Sequence, residues 1–224
     1  MKNIITIDGP AGSGKSTLAK ELAEHLGFKY LNTGAMYRAL TLLVLQKNID
    51  PDNEDLCEKI ASKMAFEIQG KGISSILFIN GKEVPTEIKT EIVDKNVSFV
   101  SKHVGVRSVM AQKQRDLGLK GNIVVEGRDA GTKIFPDAES KIFVTASIEE
   151  RARRRYEEYK KKGVLGVNLE KTKDNMKKRD DIDSNRKHSP LTRAKNSIVI
   201  DTTDMTKEEQ LNKTIEIISR KDIL

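Results

Sequence analysis

A complete phosphate-loop motif constrains the fold of this chain more than any other feature. Residues 9–16 read Gly-Pro-Ala-Gly-Ser-Gly-Lys-Ser and match the pattern G-x-x-x-x-G-K-[ST] in full. The motif lies between an apolar run at residues 3–8, which predicts a buried strand, and an amphipathic segment that predicts a helix ending at Gly27. Glycines allow successive backbone N–H groups to turn inward around phosphate oxygens. The loop therefore predicts a binding site for a nucleoside triphosphate.

The expected cofactor at this loop is ATP with Mg²⁺. Lys15 can reach the β- and γ-phosphates, and the hydroxyl of Ser16 can ligate the metal ion. Glu126 follows a predicted strand and can orient a magnesium-bound water, although an ion pair with a neighbouring residue explains it equally well. The predicted ATP-binding residues of the loop are Gly9, Pro10, Ala11, Gly12, Ser13, Gly14, Lys15, Ser16 and Thr17.

The rest of the chain alternates predicted strands and helices, which is typical of a parallel sheet with helices on both faces. We therefore expect an α/β fold with a parallel sheet of the P-loop NTPase type. Further strands are predicted at residues 30–31, 123–126, 141–145 and 197–201. Further helices are predicted around residues 40–45, 53–65, 88–101, 104–117 and 168–179, with a loop at 180–196. Capping boxes are predicted at Ser147 with Glu150 and at Thr206 with Glu209.

One segment breaks this alternation. Asn80-Gly81 separates two short runs of strand-like pattern, which is a strong signal for a β-hairpin. We interpret residues 63–88 as a small inserted subdomain. The core domain then comprises residues 1–62 and 89–224.

Composition and charge narrow the class of partner. The chain has 224 residues and a net charge of +7. Residues 151–195 carry 16 Lys and Arg against 7 Asp and Glu, which favours a polyanionic partner, a nucleotide or a nucleic acid, unless this stretch is a solvated helix face. Aromatic residues make up only 4% of the chain, whereas proteins that bind single strands stack bases on aromatic rings. We therefore expect a small nucleotide and no nucleic acid.

Other features predict a cytoplasmic monomer without a membrane partner. The apolar run at residues 4–7 is too short for a signal peptide, and no apolar stretch is long enough to span a bilayer. Cys57 is the only cysteine and has apolar neighbours at helical spacing, so it is predicted to lie in the core. The three histidines lie outside the motifs and are interpreted as structural.

Three polar segments are predicted to reach the same edge of the sheet. Residues 32–38 and 126–132 each follow a predicted strand, and residues 179–186 alternate arginines with carboxylates. Each segment alone is explained equally well by surface ion pairs. Arginines brought to one crevice suit a phosphate ligand, because the guanidinium fork matches phosphate oxygens. Together with the phosphate loop, the three segments indicate a second phosphate-bearing substrate.

These segments give the chain a resemblance to the bacterial cytidylate kinases. The resemblance is carried by residues 7–16, 33–38, 127–132, 135–138 and 179–186, which follow the order of that family. It implies phosphorylation of CMP and dCMP by ATP, with the insert at 63–88 on the CMP side and a helical lid at 151–168. Thr33 stands where a serine is common and Glu126 where an aspartate is common, and both keep the chemical group.

The resemblance also implies a role for each site residue. The clamp on the acceptor phosphate would be Arg38, Arg128 and Arg186, which with Lys15 are the candidate catalytic residues. The contacts to the cytosine edge would be Ser98, Arg107 and Asp129. The ribose contacts would be Arg179 and Asp183, with Thr33 also on the substrate side. The lid residues that close over ATP would be Arg151, Arg154 and Arg155.

The physical chemistry of the substrates leaves some alternatives open. An acceptor phosphate is largely deprotonated at neutral pH, so no general base is required. Asp129 can accept from the exocyclic amine of cytosine and would repel the carbonyl of uracil, but a kinase of the same architecture that acts on UMP or AMP remains an alternative. A nucleic-acid-stimulated ATPase that uses the basic stretch is a further alternative, although the chain has few aromatic residues for stacking bases. A nucleotide-binding switch without an acceptor is another, but it leaves the arginine-rich segments unexplained.

Overall fold

Strands and helices alternate along most of the chain, as predicted. The computed structural model describes residues 3–164 and 166–219. The strands are β1 Ile4–Asp8, β2 Lys29–Asn32, β3 Phe66–Gln69, β4 Ile76–Ile79, β5 Lys82–Glu83, β6 Ile123–Gly127, β7 Ser140–Thr145 and β8 Ile198–Asp201. The helices are α1 Lys15–Leu26, α2 Thr33–Gln46, α3 Glu54–Lys63, α4 Glu91–Lys102, α5 Val104–Gly118, α6 Ile148–Lys161, α7 Leu169–Asn185 and α8 Lys207–Ser219.

Five parallel strands form the central sheet, in the order β2-β6-β1-β7-β8. Strand β1 lies in the middle, and its last residue, Asp8, pairs with Gly127 of β6 and Phe143 of β7. Because all five strands run in one direction, their carboxyl ends meet at the same edge. Ligands of open parallel sheets bind in the crevice outside that edge, so the predicted sheet also predicts where the site lies.

Helices cover both faces of the sheet. Ile123 and Val125 of β6 pack among α2, α3, α4 and α5, whereas Val124 packs on the opposite face with α1 and α8. This alternation buries both faces of the strand and explains its continuous apolar sequence. Cys57 is fully buried in the first of these clusters, which confirms it as a core residue. Among the described helices none is long and apolar enough to cross a membrane.

The predicted hairpin is confirmed. Strands β3, β4 and β5 form a separate antiparallel sheet. Asn80 and Gly81 have φ angles of 51° and 79°, as the two central residues of a type I′ turn require. The side-chain oxygen of Asn80 accepts a hydrogen bond from the N–H of Ala65 at 2.8 Å, which ties the turn to the start of β3. The domain boundaries at 63–88 and the extent of the lid at 151–168 stay predictions.

The predicted loop at 180–196 begins six residues too early, because α7 continues to Asn185. Its last turns carry Asp180 and Asp183, which bind Arg151 at 2.6 Å and Arg128 at 3.0 Å. Residues three apart share one helix face. The alternating charges therefore lie on the inner face of a helix, where the aspartates bind Arg128 and Arg151 of other segments. They do not belong to a solvated loop.

One of the two predicted capping boxes is incomplete. Thr206 and Glu209 exchange both hydrogen bonds, at 3.2 and 2.7 Å. Ser147 accepts from the N–H of Glu150 at 3.2 Å, but the carboxylate of Glu150 binds Arg153 and Arg154 on its own helix. The neighbouring arginines compete for this carboxylate more strongly than a neutral backbone N–H does.

Candidate active site

The segments after β1 and β6 are tied together at the carboxyl edge of the sheet. The buried carboxylate of Asp8 accepts hydrogen bonds from the N–H groups of Ala130, at 2.9 Å, and Gly131, at 2.7 Å. Burial raises the pKa of Asp8 to about 6 against the opposing effect of these two hydrogen bonds. The phosphate loop and the loop that carries Arg128 thus leave the sheet in a fixed relative position.

The phosphate loop is fixed by its backbone. Gly9 has a φ of 155°, and a Cβ atom at this position would lie 2.0 Å from the carbonyl oxygen of Val144, so no side chain fits. Gly14 has a φ of 86° and immediately precedes α1. The carbonyl of Ser13 accepts a hydrogen bond from the hydroxyl of Thr202 at 2.9 Å. The loop therefore places its amides at the N-terminus of α1, where an anion is stabilised.

Lys15 lies inside this loop. Its ammonium group donates to the carbonyl of Pro10 at 3.0 Å and is almost fully buried. Burial, together with the charge of Arg128, lowers the pKa of Lys15 to about 7. A polyphosphate beside the ammonium would favour its charged form and raise the pKa again. The protein alone thus balances the positive charge of Lys15 only in part, and a bound anion would balance it further.

Glu126 joins the phosphate loop to β2. Its carboxylate accepts hydrogen bonds from the hydroxyls of Ser16 and Tyr30, and its backbone carbonyl accepts from the hydroxyl of Thr33 at 2.8 Å. Burial raises the pKa of Tyr30 well above its usual value, and the adjacent Glu126 carboxylate raises it further. Tyr30 therefore remains a proton donor that holds one oxygen of Glu126, while the other oxygen lies beside Ser16.

This oxygen pair fits a magnesium ion. Mg²⁺ prefers hard oxygen ligands and is usually held by one or two protein groups together with phosphates and water. The hydroxyl of Ser16 and the carboxylate of Glu126 are in direct contact and supply two such oxygens. Within residues 3–164 and 166–219, no group of three or more His, Cys, Asp or Glu could hold a metal alone. The arrangement suits a metal that arrives with a nucleotide.

An arginine-rich crevice lies next to Glu126. It is lined by Thr33, Gly34, Tyr37, Val97, Ser101, Arg107, Glu126, Gly127, Arg128, Asp129, Arg179, Asp183 and Arg186. Its cavity has a volume of about 60 Å³, which is room for only a few water molecules. A nucleotide is far larger, so the ion pairs that close the crevice must open for a substrate to enter.

Those ion pairs link the acceptor-side residues to one another. Asp183 accepts from Arg128 at 3.0 Å and lies 3.6 Å from Arg186. Asp129 accepts from Arg107 at 2.5 Å and lies 3.8 Å from Arg186. Burial raises the pKa of Asp183, but the surrounding arginine charges outweigh burial and hold the pKa below its usual value. The crevice is a network of cations held by internal carboxylates.

Four residues that line the crevice each carry a buried polar atom without a hydrogen-bond partner. The atoms are the hydroxyl of Tyr37, Nε of Arg107, Nε of Arg179 and Nη2 of Arg186. The guanidinium of Arg107 also lies over the Tyr37 ring, 5.4 Å from its centroid. Buried donors without partners are rare and call for an explanation. A ligand with several acceptor oxygens, such as a phosphate, would satisfy them.

Most of the predicted acceptor residues meet in this crevice, with two exceptions. Arg38 lies outside the lining and binds the carbonyl of Ile88 at 3.0 Å and the carboxylate of Asp94. Ser98 is buried but does not line the cavity, whereas Ser101, one turn later, does. The carbonyl of Ser101 also accepts from Arg107 at 3.2 Å.

The three predicted lid arginines have different surroundings. Arg151 is buried and binds the carbonyls of Ala146, at 3.0 Å, and Ala11, at 3.2 Å. Arg154 binds Thr202 beside the phosphate loop, at 2.6 and 3.1 Å. These two side chains lie on the donor side. Arg155 lies on the acceptor side, where it binds Asp94.

Sequence reasoning missed three residues of this region. Tyr30 lies on β2, Ser101 on α4 and Asp94 one turn after the start of α4. None belongs to a motif, and an isolated aspartate on a helix is usually a solvated charge. Only the packing of α4 against α2 and α7 brings Asp94 to the arginines.

Comparison with known proteins agrees with this geometry. The model of the cytidylate kinase family matches residues 5–220. A cytidylate kinase from Caldanaerobacter subterraneus subsp. tengcongensis is 48% identical over 96% of this chain and 94% of its own length. One from Bacillus velezensis is 45% identical over 97% of this chain and 96% of its own length. The crystal structure of a shikimate kinase from Bacteroides thetaiotaomicron shares the fold, with a TM-score of 0.52, 10% identity and coverage of 98% and 99% of the two chains.

Fold and site together place the protein among the P-loop kinases, because a complete phosphate-loop motif and an arginine-lined crevice lie at the same edge of the sheet. The matches over nearly the full length decide the family within that class. The chain belongs to the cytidylate kinase family.

Proposed function

We propose that this protein transfers the γ-phosphoryl group of ATP, bound with Mg²⁺, to CMP and dCMP. The observation that carries the proposal is the set of buried, unpartnered donors in the arginine-lined crevice beside a complete phosphate loop. Membership of the cytidylate kinase family supports the choice of acceptor. The reaction yields ADP together with CDP or dCDP.

Positioning and charge neutralisation supply the catalysis. The second ionisation of a phosphate monoester lies near pH 6, so the attacking oxygen is already ionised and no side chain needs to remove a proton. Two polyanions must still approach in line. Lys15 would neutralise the transferring group, while Arg128 and Arg186 would fix the acceptor phosphate. Bound Mg²⁺ would neutralise charge on the β- and γ-oxygens, with Ser16 and Glu126 as its protein contacts.

Asp129 is the residue proposed to select cytosine. Its Oδ2 is held by Arg107 at 2.5 Å, and its Oδ1 lies 3.8 Å from Arg186, outside hydrogen-bonding distance. A carboxylate oxygen accepts from the 4-amino group of cytosine and meets repulsion from the 4-carbonyl of uracil. Because Arg107 fixes the orientation of the carboxylate, the preference for cytosine is built into the crevice.

The basic stretch does not need a nucleic-acid partner. Arg151, Arg155 and Arg179 are paired with Asp180 or Asp94 at partly buried positions. Arg153 and Arg154 share Glu150 on the surface of α6. The cationic surplus of residues 151–195 is thus partly neutralised within the protein, and the rest suits phosphates.

The proposal is tested by an acceptor panel. ADP formation is measured with ATP and Mg²⁺ in the presence of CMP, dCMP, UMP, AMP, single-stranded DNA or no acceptor. We expect ADP to form rapidly with CMP and dCMP, weakly with UMP, and at background rates otherwise. Activity confined to another monophosphate would overturn the assignment of Asp129. Stimulation by DNA alone would overturn the proposal as a whole.

A further inference from the structure

Asp94 on α4 collects arginines from three other helices. One oxygen of its carboxylate binds Arg38 of α2 and lies 3.5 Å from Arg179 of α7. The other oxygen binds Arg155 of α6. The side chain of Asp94 is only 10% exposed. A single carboxylate therefore holds together cations from the acceptor side and from the predicted lid.

The two shortest contacts of Asp94 are to arginines of different helices, Arg38 on α2 and Arg155 on α6. Among the described residues, the other hydrogen-bond partner of Arg38 is the carbonyl of Ile88, on the acceptor side. Arg155 is otherwise held by Glu158 on its own helix and lies over the Tyr159 ring. Among the described residues, Asp94 thus connects α6 to Arg38 on the acceptor side by direct ion pairs.

We propose that Asp94 is a positioning residue that couples the binding of ATP to the binding of the acceptor. The inference rests on the proposed function and deepens it. When α6 moves over bound ATP, Arg155 moves with it. Because Asp94 is ion-paired with Arg155, Asp94 shifts as well and repositions Arg38 and Arg179. Arg38 is thereby held on the acceptor side, next to the crevice, only while α6 is in place. Each nucleotide then strengthens the binding of the other by the same factor.

The charge of Asp94 suits this role. Three guanidinium groups repel one another, and without a carboxylate among them they would separate. Although burial raises the pKa of Asp94, Arg38, Arg155 and Arg179 outweigh burial and lower it, so the carboxylate stays ionised at neutral pH. Asn has almost the same shape but no charge, so Asp94→Asn removes the coupling element without creating a cavity.

The test measures a ratio of affinities. The dissociation constant of CMP is determined by calorimetry without and with saturating Mg²⁺ and β,γ-methylene-ATP, in the wild type, in Asp94→Asn and in Glu91→Gln. Glu91 is the matched control, because it lies on the same helix and forms an exposed ion pair with Lys95 at 2.8 Å. A merely structural Asp94 would change both dissociation constants equally and leave their ratio unchanged.

We expect the analogue to tighten CMP binding by about fivefold or more in the wild type and in Glu91→Gln, and by less than about twofold in Asp94→Asn. An unchanged ratio in a folded Asp94→Asn variant, or no coupling in the wild type, would overturn the inference. If Asp94→Asn fails to fold, Arg155→Gln is used instead, and retained coupling there would overturn it equally. ADP formation with CMP by the wild type is recorded in parallel, so failure of the proposed function is recognised separately.

Discussion

The donor and acceptor halves of the site are built in different ways. The phosphate loop is one contiguous segment, and its shape is fixed by glycine conformations and by bonds to backbone carbonyls such as that of Ser13. The acceptor crevice is assembled from side chains of α2, α4, α5, α7 and the loop after β6. Its cations are paired with carboxylates, and some of them also bind backbone carbonyls such as that of Ser101.

The difference indicates how each half responds to its ligand. A loop with fixed amides is ready for phosphate before it arrives, so little reorganisation is needed. Arginines paired with Asp183 and Asp129 must exchange at least part of these contacts for the substrate. We therefore expect substitutions in the donor half to abolish most activity. Substitutions in the acceptor half should alter the choice of substrate more than the rate of phosphoryl transfer.

The largest loss of activity is expected when Lys15, the buried cation of the donor half, is replaced. Lys15→Ala removes the buried charge beside the transferring phosphoryl group, and we expect kcat with CMP to fall by about 10³-fold. Lys120→Ala, at an exposed position, is the matched control and should retain wild-type activity. Steady-state kinetics measures both. If kcat of Lys15→Ala fell by less than tenfold, Lys15 would not be a catalytic residue.

The rigidity of the loop is tested by Gly9→Ala. The new Cβ would lie 2.0 Å from the carbonyl of Val144, and we expect the free energy of unfolding to fall by at least about 3 kcal/mol. Gly163→Ala is the control, because Gly163 also has a positive φ, 67°, but no neighbour within 4 Å. It should cost about 1 kcal/mol. Urea denaturation compares the two, and equal losses would contradict the steric explanation.

Selectivity in the acceptor half is tested by Asp129→Asn. We expect kcat/KM for CMP to fall by about 30-fold, the effect of losing a hydrogen bond to a charged group, because Asn is a weaker acceptor for the amine. The KM for ATP should change little. Discrimination between CMP and UMP should shrink, since the amide can also donate to a carbonyl. An unchanged CMP to UMP ratio would show that another residue reads the base.

A pH dependence is expected for the donor half. The pKa of Lys15 is about 7 in the free protein and rises when a triphosphate binds. Affinity for β,γ-methylene-ATP should therefore fall as pH rises above 7, by up to about tenfold per pH unit. Calorimetry between pH 6.5 and 8.5 measures it. Lys15→Ala should lose this fall, and a wild-type affinity that does not decrease with pH would contradict the account.

The same division explains how much the sequence could predict. The phosphate loop, the parallel sheet and the Asn80-Gly81 hairpin were predicted from local patterns, because backbone conformation is encoded by adjacent residues. The end of α7 was predicted wrongly, since the charges of Asp180 and Asp183 were assigned to a loop although they bind arginines from other elements.

The three polar segments already indicated a second phosphate site, but the roles of single residues in the acceptor crevice could be predicted only through the family resemblance. The residues that line it are separated by up to 153 positions, from Thr33 to Arg186, and no local pattern links them. Asp94 was missed altogether, because its carboxylate contacts the arginines only once α4 has packed against α2 and α7. The roles of Ser98 and Arg38 stay predictions.

The most direct test of the central claim is the fate of the γ-phosphoryl group. We would follow ATP, Mg²⁺ and CMP with the protein by phosphorus NMR and compare the β-phosphate signal of CDP with inorganic phosphate. We expect CDP to appear in step with ADP, with little free phosphate, and both products to vanish in Lys15→Ala. Release of inorganic phosphate in place of CDP would contradict the claim, because the arginine crevice would then not hold an acceptor.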